Sequence, residues 1–148
     1  MSSLFKTSNS FAPTILRLVL GFLFFVHGAQ KALGWFGGNG FSKTVDSFHA
    51  YMGIPAPFTV LAIAAEFLGG IGLIVGLLSR VAAFGILCTM VVAVFKVNLA
   101  NGLFMNWAGT QKGEGYEYHL LVIAICLAIM IAGSGALSLD RMLGKRAG

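Results

Sequence analysis

Two apolar stretches, Phe58 to Leu78 and Arg80 to Leu99, follow one another with only Ser79 and Arg80 at the joint. About 20 apolar residues are what a helix needs to cross the hydrocarbon core of a bilayer. A joint that short leaves no room for a crossover, so the pair must form an antiparallel helical hairpin. Two further stretches flank it, Ala12 to Leu33 and Tyr118 to Ala136. Hydrocarbon offers no hydrogen bonds, so such segments satisfy their backbone internally, as helices. The expected fold is all-α: an integral membrane four-helix bundle forming a single membrane domain over residues 1–148, with spans at about 12–33, 58–78, 80–99 and 118–136.

Composition excludes the soluble alternative. Of the residues, 57% are hydrophobic and 10% charged, with a mean hydropathy of +0.88, whereas a soluble domain carries about 25% charged residues. The net charge of +5 is scattered rather than clustered. It reads as the positive-inside bias of a membrane protein and not as a footprint for nucleic acid. Lys6 and Arg17, Arg80 at the hairpin turn, and Arg141, Lys145 and Arg146 fall on one side of an even number of spans. That side is expected to be the cytoplasm, with both termini there. Trp35, Phe36, Phe41, Trp107, Tyr116 and Tyr118 gather on the other side and are expected to form an outer interfacial belt. Arg17 and the lack of a clean cleavage site argue against a signal peptide. Cys88 and Cys126 lie in apolar runs without metal spacing and read as small core residues.

The first outer loop, Gly34 to Pro57, contains a short amphipathic pattern. Ser42 is the expected cap of a helix running through Met52. Phe41, Val45, Phe48 and Met52 share its apolar face, and "IPAP" is expected to end it. Such a helix would lie on the outer interface. The second outer loop, "NGLFMNWAGTQKGEGYEY", reads as irregular.

The ionisable residues within the spans are the informative ones, because each costs about 2.5–3.5 kcal/mol to place in the bilayer. His27 and Lys31 are four apart and share a face of the first helix. Glu66 lies roughly 12 Å below the outer boundary of the second. Lys96 closes the third span, and Glu117, Tyr118 and His119 open the fourth. All reach the same outer half. A lock holding the helices in register needs only two opposite charges; the surplus points to an outward-opening polar pocket. In that pocket His27 and Glu66 are the candidate proton-handling, catalytic residues. Histidine ordinarily titrates near neutral pH, at about 6.5. Lys31, Lys96, Glu117 and His119 are the candidate ligand-binding residues. No HExxH or similar spacing marks a metal site. Gly72 and Gly76 form a GxxxG, expected to allow close helix packing.

The stretches "RLVLGFLFFVHGAQKALG", "AAEFLGGIGLIVGLLSR", "GYEYHLL" and "GSGALSLDRML" together resemble the DoxX family, from about Arg17 to Leu143. The family's usual G-P-G before S-L-D is G-S-G here. The resemblance implies a small four-helix protein of the bacterial inner membrane, with His27, Lys31, Glu66 and Glu117 at family motif positions. Relatives include the large subunit of a thiosulfate:quinone oxidoreductase, and others are associated with thiol and oxidative stress. The leading expectation is a quinone-linked oxidoreductase component. Lys31 and Lys96 would hold an anionic intermediate or an anionic substrate such as thiosulfate. No haem ligand pair, Fe–S cysteine set or flavin fingerprint is present in the sequence, so electrons would pass through quinone or a partner subunit. Two readings compete with it. One is a non-enzymatic membrane subunit that anchors or assembles an extracytoplasmic redox or metal-handling protein. The other is a small anion transporter, which would need a homodimer because four helices leave a narrow path.

Overall fold

The computed structural model describes the backbone of residues 2–146 and the side chains of residues 4–144. The side chains of Lys145 and Arg146, counted above among the basic residues, lie outside the described residues. Among the described residues the regular structure is entirely helical: α1 (Ser2–Phe5), α2 (Phe11–Leu33), α3 (Phe41–Met52), α4 (Ala56–Val75), α5 (Ser79–Ala93), α6 (Glu117–Ala132) and α7 (Leu139–Arg146). A π turn, Val94–Asn98, and a 3-10 turn, Leu99–Asn101, prolong α5. Among the described residues, three helical stretches are long and apolar enough to cross a membrane: α2, α4 and Ser79–Asn101.

The fourth apolar helix, α6, has 16 residues, or about 24 Å. It stops at Ala132 rather than at the expected Ala136. Gly133 (φ 80°), Gly135 (φ 74°) and Leu137 (φ 53°) adopt left-handed backbone there, which no helix can continue through. Residues 133–136 are buried all the same, folded back into the end of the bundle.

The four long helices close a ring: α2 packs on α4, α4 on α5, α5 on α6, and α6 on α2. Leu20, Phe24, Leu73, Ile86, Met90, Val122, Cys126 and Ile129 fill the middle. The α2–α4 contact is the tightest, and glycine is the reason. A Cβ at Gly28 would strike the backbone of Phe67, and one at Gly21 would lie 2.9 Å from the Gly70 carbonyl oxygen. A Cβ at Gly70 would strike the backbone of Phe25. Gly72 and Gly76 do not act together as a helix-packing pair, although Gly76 is itself close-packed, a Cβ there lying 2.5 Å from the Ser138 Cβ. Gly76 ends α4 in the left-handed region, φ 71°, and a Cβ at Gly72 would face only its own turn at Leu77 and, at 3.8 Å, Ala82.

At the end where α2 begins, one buried arginine organises the chain. Arg17 is 1% exposed. Its Nε donates to the Ser134 carbonyl at 2.8 Å, Nη1 to those of Leu73 and Ile74 at 2.7 Å, and Nη2 to that of Leu137 at 2.6 Å. Asp140 is equally buried. It accepts the Leu78 and Ser79 amides at 2.7 and 3.0 Å, together with the Ser134 hydroxyl. Ser134, the middle residue of G-S-G, thus joins both buried charges, its carbonyl on Arg17 and its hydroxyl on Asp140. Thr7, Ser8 and Ser10 bond the 132–136 segment, and Arg80 reaches the Lys6 and Ile131 carbonyls. Both terminal segments therefore dock at one end of the bundle, the terminal end.

At the opposite end, the loop end, α3 lies against α4 and α2. Gly40 rather than Ser42 caps it: the Gly40 carbonyl accepts the Thr44 amide at 3.1 Å, which starts the helix at Phe41. It ends at Gly53 (φ 64°), ahead of "IPAP". Val45, Phe48 and Met52 are half-buried, Thr44 is buried and Phe41 is exposed. The 102–116 loop is irregular but tied. Asn98 and Asn101 donate to the Glu114 carbonyl at 2.9 and 3.0 Å, and the Glu114 carboxylate accepts the Asn106 amide at 2.7 Å.

Neighbouring glycines should therefore respond in opposite ways. Gly70→Ala should lower stability by about 1–3 kcal/mol by forcing α2 and α4 apart. Gly69→Ala, whose Cβ would meet only ordinary 3.7 Å contacts with Ala82, should be neutral or stabilising by up to about 1 kcal/mol. Thermal melts of the purified protein in detergent check this. Arg17→Met should cost about 3–5 kcal/mol, because it strands buried partners. Arg17→Lys should recover only part of that, since an ammonium lacks the forked donors; the same melts decide.

Candidate functional site

The close approach of α2 and α4 sets the site's central contact. Lys31 stands on the α2 face that carries Gly28, and Glu66 on the α4 face that meets it. Lys31 Nζ lies 2.5 Å from Glu66 Oε2, with the lysine side chain 24% exposed and the glutamate 4%. The carboxylate is thus held deep and its partner reaches in from the edge, a geometry that a long lysine stem permits.

The pair faces a groove of about 970 Å³ that extends along α4 and α5. All four long helices contribute to its polar end: His27 and Lys31 from α2, Glu66 from α4, Lys96 and Asn98 from the π turn, and Tyr118 and His119 from α6, joined by exposed Glu114 of the 102–116 loop. Phe48 and Met52 of α3 form part of the rim. The remaining lining, from Phe58 down to Leu77 and Leu78 at the hairpin turn, is almost wholly apolar.

Each residue singled out in the sequence has a defined place. His27 is exposed and lines the groove, its ring 6.3 Å from that of Phe24. Lys96 is exposed, lines the groove, and has no ion pair among the described residues. The π turn sets its direction, and such turns concentrate at functional sites. His119 lines the groove, and its Nδ1 is buried without a hydrogen-bond partner. Glu117 stands apart from this set. Its carboxylate accepts the Met105 amide at 2.8 Å and the Trp107 indole at 3.3 Å, holding the loop and not the groove.

Two residues were placed differently by sequence alone. Tyr118, expected in the interfacial belt, is half-buried and lines the groove beside His119. The signal was present: Tyr118 heads the stripe Val122, Cys126 and Ile129, which is buried throughout. Cys88, expected in the core, is exposed and lines the groove, whereas Cys126 is buried as expected. Trp35, Phe36, Phe41 and Trp107 are exposed at the loop end.

The DoxX family model matches residues 12–99, the segment that contains Arg17, His27, Lys31, Glu66 and Lys96. The chain is 32% identical over 131 residues to "Putative oxidoreductase CatD" of Bacillus subtilis, covering 88% of this chain and 86% of that one. It is 31% identical over 137 residues to an uncharacterized protein of Haemophilus influenzae, covering 88% and 90%. It is 29% identical over 132 residues to "Inner membrane protein YqjF" of Escherichia coli, covering 89% and 92%. No solved structure matches. The family match takes in the glycine-packed α2–α4 pair and both members of its buried ion pair, and the chain belongs to the DoxX family.

Proposed function

We propose that this protein is a quinone-linked component of an oxidoreductase in the bacterial inner membrane, with its terminal end in the cytoplasm. One observation carries the reading: a buried carboxylate–lysine pair stands at the head of a groove that is otherwise apolar over its length. A quinone has the matching shape, a polar ring on a hydrocarbon tail. The unpartnered His119 Nδ1 fits the same reading, because a polar atom buried within a membrane protein calls for a partner. The name carried by the Bacillus subtilis relative agrees with it.

A quinone, when bound, supplies a two-electron, two-proton carrier. The chain's own residues bind its ring and manage protons. Lys31, Tyr118 and His119 offer hydrogen bonds to ring oxygens, Glu66 accepts a proton, and exposed His27 passes it toward the water outside. Lys96 supplies the positive charge that favours an anionic ligand. The other half-reaction is assigned to a partner protein.

A ubiquinone lacking any tail tests the head of the groove. It should raise the melting temperature of the wild type saturably; ligand at 100 times its Kd stabilises by about 2.7 kcal/mol. His27→Ala should melt within about 0.5 kcal/mol of wild type yet lose most of the quinone shift, and Glu66→Gln should lose it as well. An equal shift in all three proteins would remove the assignment. Orientation has its own test in a Cys88→Ser background. A cysteine at Trp107, 88% exposed, should react with an impermeant thiol reagent added outside intact spheroplasts. One at Leu143 should react only after lysis, and the reverse pattern would invert the topology.

A further inference from the structure

The groove is far longer than a ring needs. Glu66 sits at its polar end, and the lining continues to Leu77 and Leu78. From Glu66 to Val75 alone is about 14 Å along the α4 axis. A headgroup at Lys31 and Glu66 would leave most of this length empty.

The lining is sorted by size. Large residues stand as walls: Leu61 and Leu68 on α4 and Phe84 on α5 are 65%, 62% and 54% exposed. Small ones form the floor: Ala65 and Gly69 of α4 meet Ala82 and Gly85 of α5, all buried or half-buried. The floor is closed. A Cβ at Gly85 would lie 3.0 Å from the Ala65 Cβ, and one at Gly69 would lie 3.7 Å from Ala82. The small residues are four apart on α4 and three apart on α5, so each pair lies on one stripe of its helix. The result is a trough on the lipid-facing side of the α4–α5 hairpin, continuous with the polar end. A chain-shaped apolar group fits such a trough, and a compact anion does not.

We propose that the α4–α5 trough is the bed for the hydrocarbon tail of the molecule whose headgroup meets Lys31 and Glu66, and that this molecule enters sideways from the lipid. The inference rests on the functional reading above and adds where the tail lies and how the ligand arrives: along the α4–α5 trough, from the bilayer and not from water. The tail leaves one hydrocarbon surrounding for another. It therefore gains little from burial, and its preference for the trough comes from close packing against the small-residue floor.

Gly69→Leu places a side chain in the trough floor, 3 residues beyond Glu66, without touching the ion pair. Affinities of tailless ubiquinone and of decylubiquinone are measured for wild type and variant in bilayer nanodiscs of one lipid composition. Partition into lipid is the same for both proteins and cancels between them. The ratio of tailed to tailless affinity should fall about tenfold in Gly69→Leu while tailless affinity stays within about twofold. An unchanged ratio overturns the tail bed and leaves the head site standing. Failure of both probes to bind wild type overturns the functional reading and this inference with it. If Gly69→Leu does not fold, the folded wild type offers a second handle. Cys88 is exposed in the same groove and Cys126 is buried. Alkylation by pyrene maleimide should fill the trough at Cys88 and lower the same ratio; an unchanged ratio there again overturns the tail bed.

Discussion

A membrane interior supplies no hydrogen bonds, and at the terminal end of this bundle one guanidinium replaces them. The C-terminus of α4 leaves carbonyls with unfilled acceptor capacity, and Arg17 donates to those of Leu73, which also accepts the Gly76 amide, and Ile74, together with two from the 133–138 loop. Asp140 performs the complementary task on the next helix, accepting the Leu78 and Ser79 amides where α5 begins. A cation at a helix C-terminus and an anion at a helix N-terminus each match the helix dipole. The hairpin turn is thus held from both sides by opposite charges. Ser134 joins the two groups, with its carbonyl on Arg17 and its hydroxyl on Asp140. The irregular segment after α6 is buried with its polar groups satisfied by these residues together with Thr7, Ser10 and Thr14.

With that end closed, the site at the other end follows from unequal helix spacing. Gly21, Gly28 and Gly70 let α2 and α4 approach to backbone contact, which draws Lys31 onto Glu66. Across the ring, α4 and α5 touch through alanines and glycines while their larger residues stand outside, and a trough remains. Glycine has opposite effects on the two faces of one helix. On one it removes the gap between helices; on the other it lines one. The adjacent pair Gly69 and Gly70 shows the division, the first facing the groove and the second facing α2.

The loop end uses its acidic residues differently from the pattern that depth alone suggests. Glu114 and Glu117 hold backbone and indole donors of the 102–116 loop, and Asn98 and Asn101 pin that loop to the turns that end α5. Of the ionisable residues at similar depth, Glu66 alone supplies a deeply buried carboxylate to the groove. The exposed Trp35, Phe36 and Trp107 belong to the same loop end, and aromatic rings of this kind favour a membrane interface.

Hydropathy alone determined the class: four apolar helices, a hairpin at Ser79-Arg80, and a cluster of ionisable residues in one half of the bundle. Period and length suffice for that, because hydrocarbon permits so few backbone conformations. A pairing of Glu66 with Lys31 or Lys96 was legible as a matching of depth and charge, and the structure selects Lys31. What only the tertiary structure decided was direction. Tyr118 turns inward, Glu117 turns to its loop, and Lys96 is aimed by a π turn with no sequence marker. Gly72 and Gly76, alike in spacing to a packing motif, serve as groove lining and helix cap, while Gly28 and Gly70, which lack that spacing, make the close contact. Spacing along a chain specifies which residues share a helix face. Which neighbour that face meets, and how closely, depends on the packing of all four helices at once, and the Arg17 network at the far end is what holds that packing in place.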